Sequence, residues 1–421
     1  MVNKYKKSPK VKPVNNFLVL FILSLFQVIT GYIAAACGEQ FEMKAMLALL
    51  CLVVTEWVYL IFFFTVFHRR NFELELIAFF LSGVGLVTIG SVYPDSAFKQ
   101  YFMVLAGIIA FIFIQFLMGH VDFCMKIRWY VAGASILLLL VNIAIAKVTN
   151  GARNWITVAG VTFQPSEFVK VAFIFVGAAT LEKIQTSKNI IAYIVYSLIC
   201  VGSLVIIKDL GTALIFFMTF LIIAFMNSGD IKTVGLAIAS AVMGGTIVLK
   251  YKSYVMRRFA VYRHVWEYPY DQGMQQTRVL VGIASGGLFG VGIGRGYVRN
   301  VFAPVSDSIF GVICEEWGFI FGIMLVMSFV AIAISALMNS IAARSSAYAI
   351  AAVSSAGMLL FQCALNIFGI TDILPLTGVT IPFVSLGGSS MMSCWAILAF
   401  IKASDVRTYN YLTGRRKGGA K

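Results

Sequence analysis

The chain has 421 residues, of which 60% are hydrophobic and only 12% charged, with 33 Lys and Arg against 18 Asp and Glu and a formal net charge of +15. Soluble domains carry roughly 25% charged residues, so this much apolar side chain cannot be hidden inside a water-soluble globule, and the surplus faces lipid. That excludes a soluble enzyme, a disordered chain and a nucleic-acid module. The basic excess becomes topology information instead, because Lys and Arg collect on the cytoplasmic side of membrane proteins.

In chain order, a basic stretch from Lys4 to Lys12 precedes an apolar run from Phe17 to Cys37. At about 20 residues that run spans a bilayer and is too long for the apolar part of a typical signal peptide. It is read as an uncleaved first span, although Ala34-Ala35-Ala36-Cys37 faintly resembles a processing site. Further runs of about spanning length lie near 44–67, 73–91, 100–118, 128–147, 167–181, 189–207, 210–226, 232–250, 308–337, 346–370 and 387–403. The tenth of the twelve, 308–337, is long enough to tilt. The fold class expected is therefore an all-α polytopic membrane protein of about 12 transmembrane helices.

The short segments between runs alternate in charge. One set holds the N-terminal lysines, Arg69/Arg70, Lys126/Arg128, Arg344 and the basic tail from Arg407 onward, whereas the other holds little beyond Lys44, Lys99, Arg153 and Lys208. The basic set is cytoplasmic by the positive-inside rule. Tails 1–16 and 404–421 are then inside, and two substantial loops, about 148–166 and 251–307, are outside. The longer loop carries Arg257, Arg258, Arg278 and Arg295 among its arginines, a candidate surface for an anionic ligand, with lipid headgroup contact as the plain alternative. Seven scattered cysteines without a CxxC pair and three distant histidines show no zinc site and read as packing residues.

Four polar places stand out, since a charge in or near hydrocarbon needs a partner or a task. The first runs from Arg153-Asn154-Trp155 to Gln164-Pro165-Ser166-Glu167-Phe168-Val169-Lys170. Pro165 suits the first turn of a helix, Glu167 sits at its positive dipole end, and Glu167 and Lys170 share a face. They are either functional or an ion pair that lets a lysine enter the bilayer. The second is Lys208-Asp209-Leu210-Gly211-Thr212, a tight turn in which Asp209 or Thr212 opens the next helix. The third is the glycine-rich stretch Ser285 to Gly296, which fits neither a Rossmann nor a P-loop pattern and leads to Asp307 at the membrane boundary. On a continuing helix Glu315 lies about 80° around the axis from Asp307, and Glu316 about 180°. The fourth is Pro375 to Ser390, including Ser389, an irregular segment that the membrane tolerates only when it is buried in protein or lines a cavity.

Taken in order, GARNWITVAGVTFQPSEFVK, KDLGTALIFF, GIASGGLFGVGIGRG, DSIFGVICEEWG and LPLTGVTIPFVSLGGSS resemble the successive signatures of the SEDS family (shape, elongation, division and sporulation), typified by RodA, FtsW and SpoVE. The resemblance covers about 73–403 and implies a ten-helix core, which makes 17–72 an extra N-terminal transmembrane pair. It also implies a peptidoglycan glycosyltransferase that polymerises lipid II at the outer face of the bacterial cytoplasmic membrane, commonly with a class B penicillin-binding protein. Its catalytic aspartate matches Asp307, and Glu167 and Lys170 fall on functional positions. Arg153, Asp209, Glu315 and Ser389 complete the expected cavity, and Arg257, Arg258, Arg278 and Arg295 are the diphosphate-binding candidates. The resemblance implies a divalent cation, magnesium or manganese, although no metal cage is legible. One departure concerns the catalytic loop: the family often reads Pro-Glu-x-His-Thr-Asp-Phe where this chain has Phe302-Ala303-Pro304-Val305-Ser306-Asp307-Ser308. A lipid II flippase and a degenerate scaffold for a transpeptidase remain alternatives at this point.

The alternation of basic loops predicts a topology that cysteine labelling can check. On a cysteine-free background, an impermeant thiol reagent added to intact cells reaches a cysteine placed at Ser253 but not one at Ser8. The reverse pattern rules the topology out.

Overall fold

The computed structural model describes residues 15–149, 152–158, 161–181, 187–232 and 261–409, with isolated positions between 235 and 256. Its helices are α1 (Asn16–Ala35), α2 (Met43–Val66), α3 (Glu73–Val92), α4 (Ala97–Met118), α5 (Val121–Ile145), α6 (Pro165–Thr180), α7 (Ser187–Ile207), α8 (Leu210–Ser228), α9 (Met274–Gly286), α10 (Ile309–Trp317), α11 (Phe319–Ile341), α12 (Ser346–Ile370) and α13 (Gly388–Ser404). Among the described residues nine helices are long and apolar enough to cross a bilayer. The shorter α6 and α13 complete the same bundle. The chain is an all-α polytopic membrane protein. The expected run at 232–250 lies almost wholly outside the described residues, as do Arg257, Arg258 and most of both basic tails.

Two expectations need correction. The long run 308–337 is not one tilted helix: it breaks at Gly318, whose φ of 91° no α-helix accommodates, and continues as α11. The segment 148–166, expected as an outer loop, is not wholly loop. A stretch rich in β-branched residues there, with Trp155 and Phe163, forms a small antiparallel sheet of β1 (Lys147–Thr149), β2 (Ala152–Val158) and β3 (Val161–Phe163), with Ile156 paired to Phe163.

Helices α3, α12 and α13 form the centre, with 83% of the spanning stretch of α3 buried against 22% for α5. Trp395 of α13 is fully buried among Phe79 of α3, Phe111 of α4 and Phe383, at ring distances of 5.3, 5.9 and 5.7 Å. Gly107 lets α4 approach this ring closely, since a Cβ there would stand 2.8 Å from the indole. Five of the cysteines are buried and all seven are free, as their scatter implies.

At the far end of α13, buried charges fasten the α2–α3 linker to the core. Glu75, fully buried, accepts from Arg69, from Lys402 Nζ at 2.9 Å and from the Tyr59 hydroxyl at 3.2 Å. Lys402 also donates to the Asn71 carbonyl, and Asn71 Nδ2 donates to Asp405 at 2.6 Å. Burial alone pushes the Asp405 carboxyl up, but Arg407 and Lys402 outweigh it and hold the group below its ordinary value. A depressed carboxyl stabilises fully above its unfolded value, and its contribution is lost only as the pH falls through the folded one.

Glu75→Gln leaves Arg69 and Lys402 buried without their shared counter-charge. Stripping a buried ion pair of one partner costs about 3–5 kcal/mol, so the variant unfolds at a clearly lower temperature in detergent. An unchanged midpoint would show that the two cations are compensated elsewhere.

Candidate functional site

At the end of the bundle where α6, α8 and α13 begin, hydrogen bonds draw separate segments together. Helix α6 starts at Pro165, which supplies a preset φ and needs no amide donor. The peptide N–H of Gln164, just before it, donates to Ser389 Oγ at 3.2 Å, and its side-chain Nε2 donates to Ser166 Oγ at 3.0 Å and Asp209 Oδ2 at 2.9 Å. Asp209 caps α8 by accepting the Thr212 N–H at 3.1 Å. Ser389 and Asp209, distant in sequence, therefore meet the same glutamine.

One turn into α6, Lys170 is 1% exposed and Glu167 is 4% exposed. Lys170 Nζ donates to Glu167 Oε1 at 2.8 Å and to Gln362 Oε1 of α12 at 2.9 Å. The other Glu167 oxygen accepts from Ser393 Oγ of α13 at 2.6 Å. Gln362 in turn donates to the Thr380 carbonyl at 3.0 Å, and the Thr380 and Ser390 hydroxyls lie 2.8 Å apart. The pair is thus wired into the irregular 371–387 segment rather than closed on itself.

That segment, with α12, also braces the backbone around Asp307. Asn366, one turn beyond Gln362 on α12, donates to the Asp307 carbonyl at 2.9 Å and to the Val379 carbonyl at 2.6 Å. The Ser385 hydroxyl donates to the Ser306 carbonyl at 2.7 Å, and the Leu386 N–H to the Val305 carbonyl at 2.8 Å. Gly378, at φ 71°, brings its backbone beside the half-buried carboxylate; a Cβ there would stand 3.5 Å from Asp307 Oδ2. Gln275 of α9 donates to Ser308 Oγ at 2.8 Å. Arg278, half-buried and three residues further along α9, shares the face of Gln275.

Glu315 turns elsewhere. It accepts the Val298 N–H at 2.7 Å and faces Ser285 and Gly296. The glycine-rich stretch wraps the break at Gly318. Val291 and Gly292 N–H groups donate to the last carbonyls of α10, at 2.9 and 3.0 Å, while Phe319 and Ile320 at the start of α11 donate to Gly287 and Leu288 carbonyls, at 2.9 and 3.3 Å. Side chains have no room there: a Cβ on Gly318 would come 2.3 Å from the Leu288 carbonyl. The glycines thus satisfy the backbone groups that a broken helix leaves open.

Of the expected site residues, Glu167 and Lys170 share one hydrogen-bonded cluster with Gln362 and Ser393, Asp209 and Ser389 share a second one on Gln164, and the backbone of Asp307 is held next to them by Asn366. Arg153 is exposed on β2, Arg295 is exposed on the glycine-rich stretch, and Glu315 holds that stretch. Sequence reasoning missed Gln362, Asn366, Ser385 and Ser393. The available signal was Gln362 and Asn366, two amides spaced four apart in a helix whose half from Gly357 to Ile370 is otherwise apolar.

Comparison with known proteins gives concordant matches. The FtsW/RodA/SpoVE family model, described as a cell cycle protein, matches residues 59–409 and so begins within α2. Stage V sporulation protein E of Bacillus subtilis is 30% identical over 345 residues, covering 76% of this chain and 92% of the relative. Peptidoglycan glycosyltransferase RodA of Mycobacterium leprae is 28% identical over 352 residues, 76% of this chain and 74% of its own. Among solved structures, a chain from a peptidoglycan synthase complex that coordinates polymerization and crosslinking matches with a TM-score of 0.67 at 26% identity, over 79% of this chain and 96% of its own. Rod shape determining protein RodA of Thermus thermophilus matches with a TM-score of 0.59 at 24% identity, over 81% and 97%, a likeness of fold.

Lys170→Met leaves the Glu167 carboxylate buried without its cation, at a cost of about 3–5 kcal/mol. The double variant Glu167→Gln/Lys170→Met removes both charges and recovers most of that loss. Thermal unfolding of the two purified proteins checks the ordering; equal midpoints would contradict a buried ion pair.

Proposed function

The chain belongs to the FtsW/RodA/SpoVE family and is a peptidoglycan glycosyltransferase; from that premise we propose that it polymerises lipid II at the outer face of the cytoplasmic membrane, with Asp307 as general base. The observation that carries this reading is the setting of Asp307. Its carboxylate is half-buried where the outer segment meets α10, while its backbone is held on two sides by α12 and the 371–387 segment.

Asp307 takes the proton from the acceptor GlcNAc 4-hydroxyl as that oxygen attacks the anomeric carbon of the donor MurNAc. The anomeric bond to the lipid diphosphate breaks as the new glycosidic bond forms, so the configuration inverts. A single base suffices when the leaving group departs as a stabilised anion. Arg278 and Arg295, and Arg257 and Arg258 outside the described residues, are the candidates that neutralise it through charge-assisted hydrogen bonds.

The Glu167–Lys170 pair positions rather than transfers protons: it is too buried to reach solvent, and it fixes Gln362 and, through it, Thr380 of the segment that frames Asp307. A groove of about 270 Å³ runs between α4, α5, α6 and α13, lined by apolar residues such as Ile114, Val131 and Phe175, with Ser393 on its wall. A polyprenyl tail fits such a lining, next to the ion pair. A magnesium or manganese ion, implied by the resemblance, meets no cluster of three His, Cys, Asp or Glu side chains among the described residues, and the mechanism has no step through it. A class B penicillin-binding protein is the proposed partner, supported by the relative solved within a synthase complex.

Removing a general base costs about 10²–10⁴-fold in rate. Asp307→Asn, purified in liposomes with labelled lipid II, is expected to bind substrate and make few or no glycan strands. Polymerisation at the wild-type rate would place the base elsewhere. A wild-type protein that moved lipid II across the bilayer without joining it would make the chain a transporter.

A further inference from the structure

We propose that the N-terminal helix α1 is a positioning element for the glycosyltransferase site, with Phe26 acting through Trp317 and Phe321 on the helix break at Gly318. The inference rests on Asp307 being the reacting carboxylate.

Three contacts join α1 to the scaffold of that carboxylate. The Phe26 ring lies 5.8 Å from Trp317, the last residue of α10, and stacks at 6.1 Å on Phe321, in the first turn of α11. Trp317 and Phe321 flank the break and are themselves 4.6 Å apart. Two residues past the end of α1, Cys37 lies against the glycine-rich stretch: a Cβ on Gly294 would stand 2.5 Å from its sulfur. Arg299 then ties that stretch to α3 by donating to the Gly294 carbonyl at 2.5 Å and the Ser91 carbonyl at 2.7 Å. Asp307 sits two residues before α10, so a tilt of this nine-residue helix about Gly318 moves the carboxylate directly.

Apolar packing cannot by itself fix the rotation of α1, because lipid tails are as apolar as leucine and helices in a bilayer are registered by polar and small residues. Gln27, next to Phe26, supplies that register. It is fully buried at mid-helix and donates to Glu56 Oε1 of α2 at 2.8 Å and to the Phe79 carbonyl of α3 at 3.4 Å. Trp57 Nε1 adds a bond to Ser24 Oγ at 2.9 Å. With Gln27 locked between α2 and α3, Phe26 is turned to the break.

The test uses full-length protein in liposomes with labelled lipid II, and compares Phe26→Ala, Phe26→Leu and the paired Gln27→Leu/Glu56→Leu. The pair removes both polar partners together, leaving neither unpaired and sparing the fold. Misplacing a reacting group by about 1 Å can cost 10²-fold. Phe26→Ala and the paired variant are therefore expected to lower kcat about 10- to 100-fold at little change in KM, and Phe26→Leu to restore most of it. In the paired variant Cys37, measured by mass spectrometry of its peptide, is expected to alkylate faster as α1 turns away. An active wild type whose kcat survives both Phe26→Ala and the paired change overturns the proposal. So does a fall in kcat in the paired variant with Cys37 as shielded as before, or a loss that Phe26→Leu does not restore. An inert wild type overturns the catalytic reading itself, and this inference with it.

Discussion

A lysine ammonium inside a membrane-spanning bundle must find acceptors within the protein, because lipid offers none. Lys170 finds two, Glu167 and Gln362, and Glu167 spends its other oxygen on Ser393. Meeting those demands draws α6, α12 and α13 to one point. Gln362 then reaches into the irregular 371–387 segment, and Asn366 one turn on reaches the backbone of Asp307. The apolar packing around Trp395 supplies cohesion, but it has no direction. The hydrogen-bonded charges decide which residues of which helices face one another.

The same constraint explains the break at Gly318. A helix interrupted within the membrane exposes carbonyls at one end and N–H groups at the other, each costing several kcal/mol if left unpaired in hydrocarbon. The glycine-rich stretch answers both sets with its own backbone, at distances that a side chain would forbid. The glycines are therefore structural in a strict sense. They allow a short helix, α10, to end at mid-bundle and to present Asp307 at its beginning. Glu315 belongs to this arrangement, fastening the stretch through the Val298 N–H.

At the opposite end of α13, Glu75 plays a part like that of Lys170, with the signs exchanged. One buried carboxylate holds Arg69 and Lys402, and through them the linker before α3 and the end of α13. The central helix is thus anchored by charge at both ends and by aromatic packing between them.

The sequence alone settled the class of molecule. Its apolar surplus forced a polytopic helical membrane protein, since no water-soluble shape could bury it, and its ordered signatures pointed to the family. Local signals were also legible: Pro165 opened α6, Asp209 capped α8, and Glu167 and Lys170 shared a face, because each depends on residues within one helical turn. Only the tertiary structure decided which distant polar groups pair. It turned Glu315 toward the glycine-rich stretch and brought Gln362 and Asn366 to the site. It also split one apolar run into α10 and α11, because hydropathy is blind to a glycine at positive φ whose neighbours satisfy the broken backbone. Residues 30 or 300 positions apart meet only when the helices pack, and no spacing in a single chain encodes that meeting.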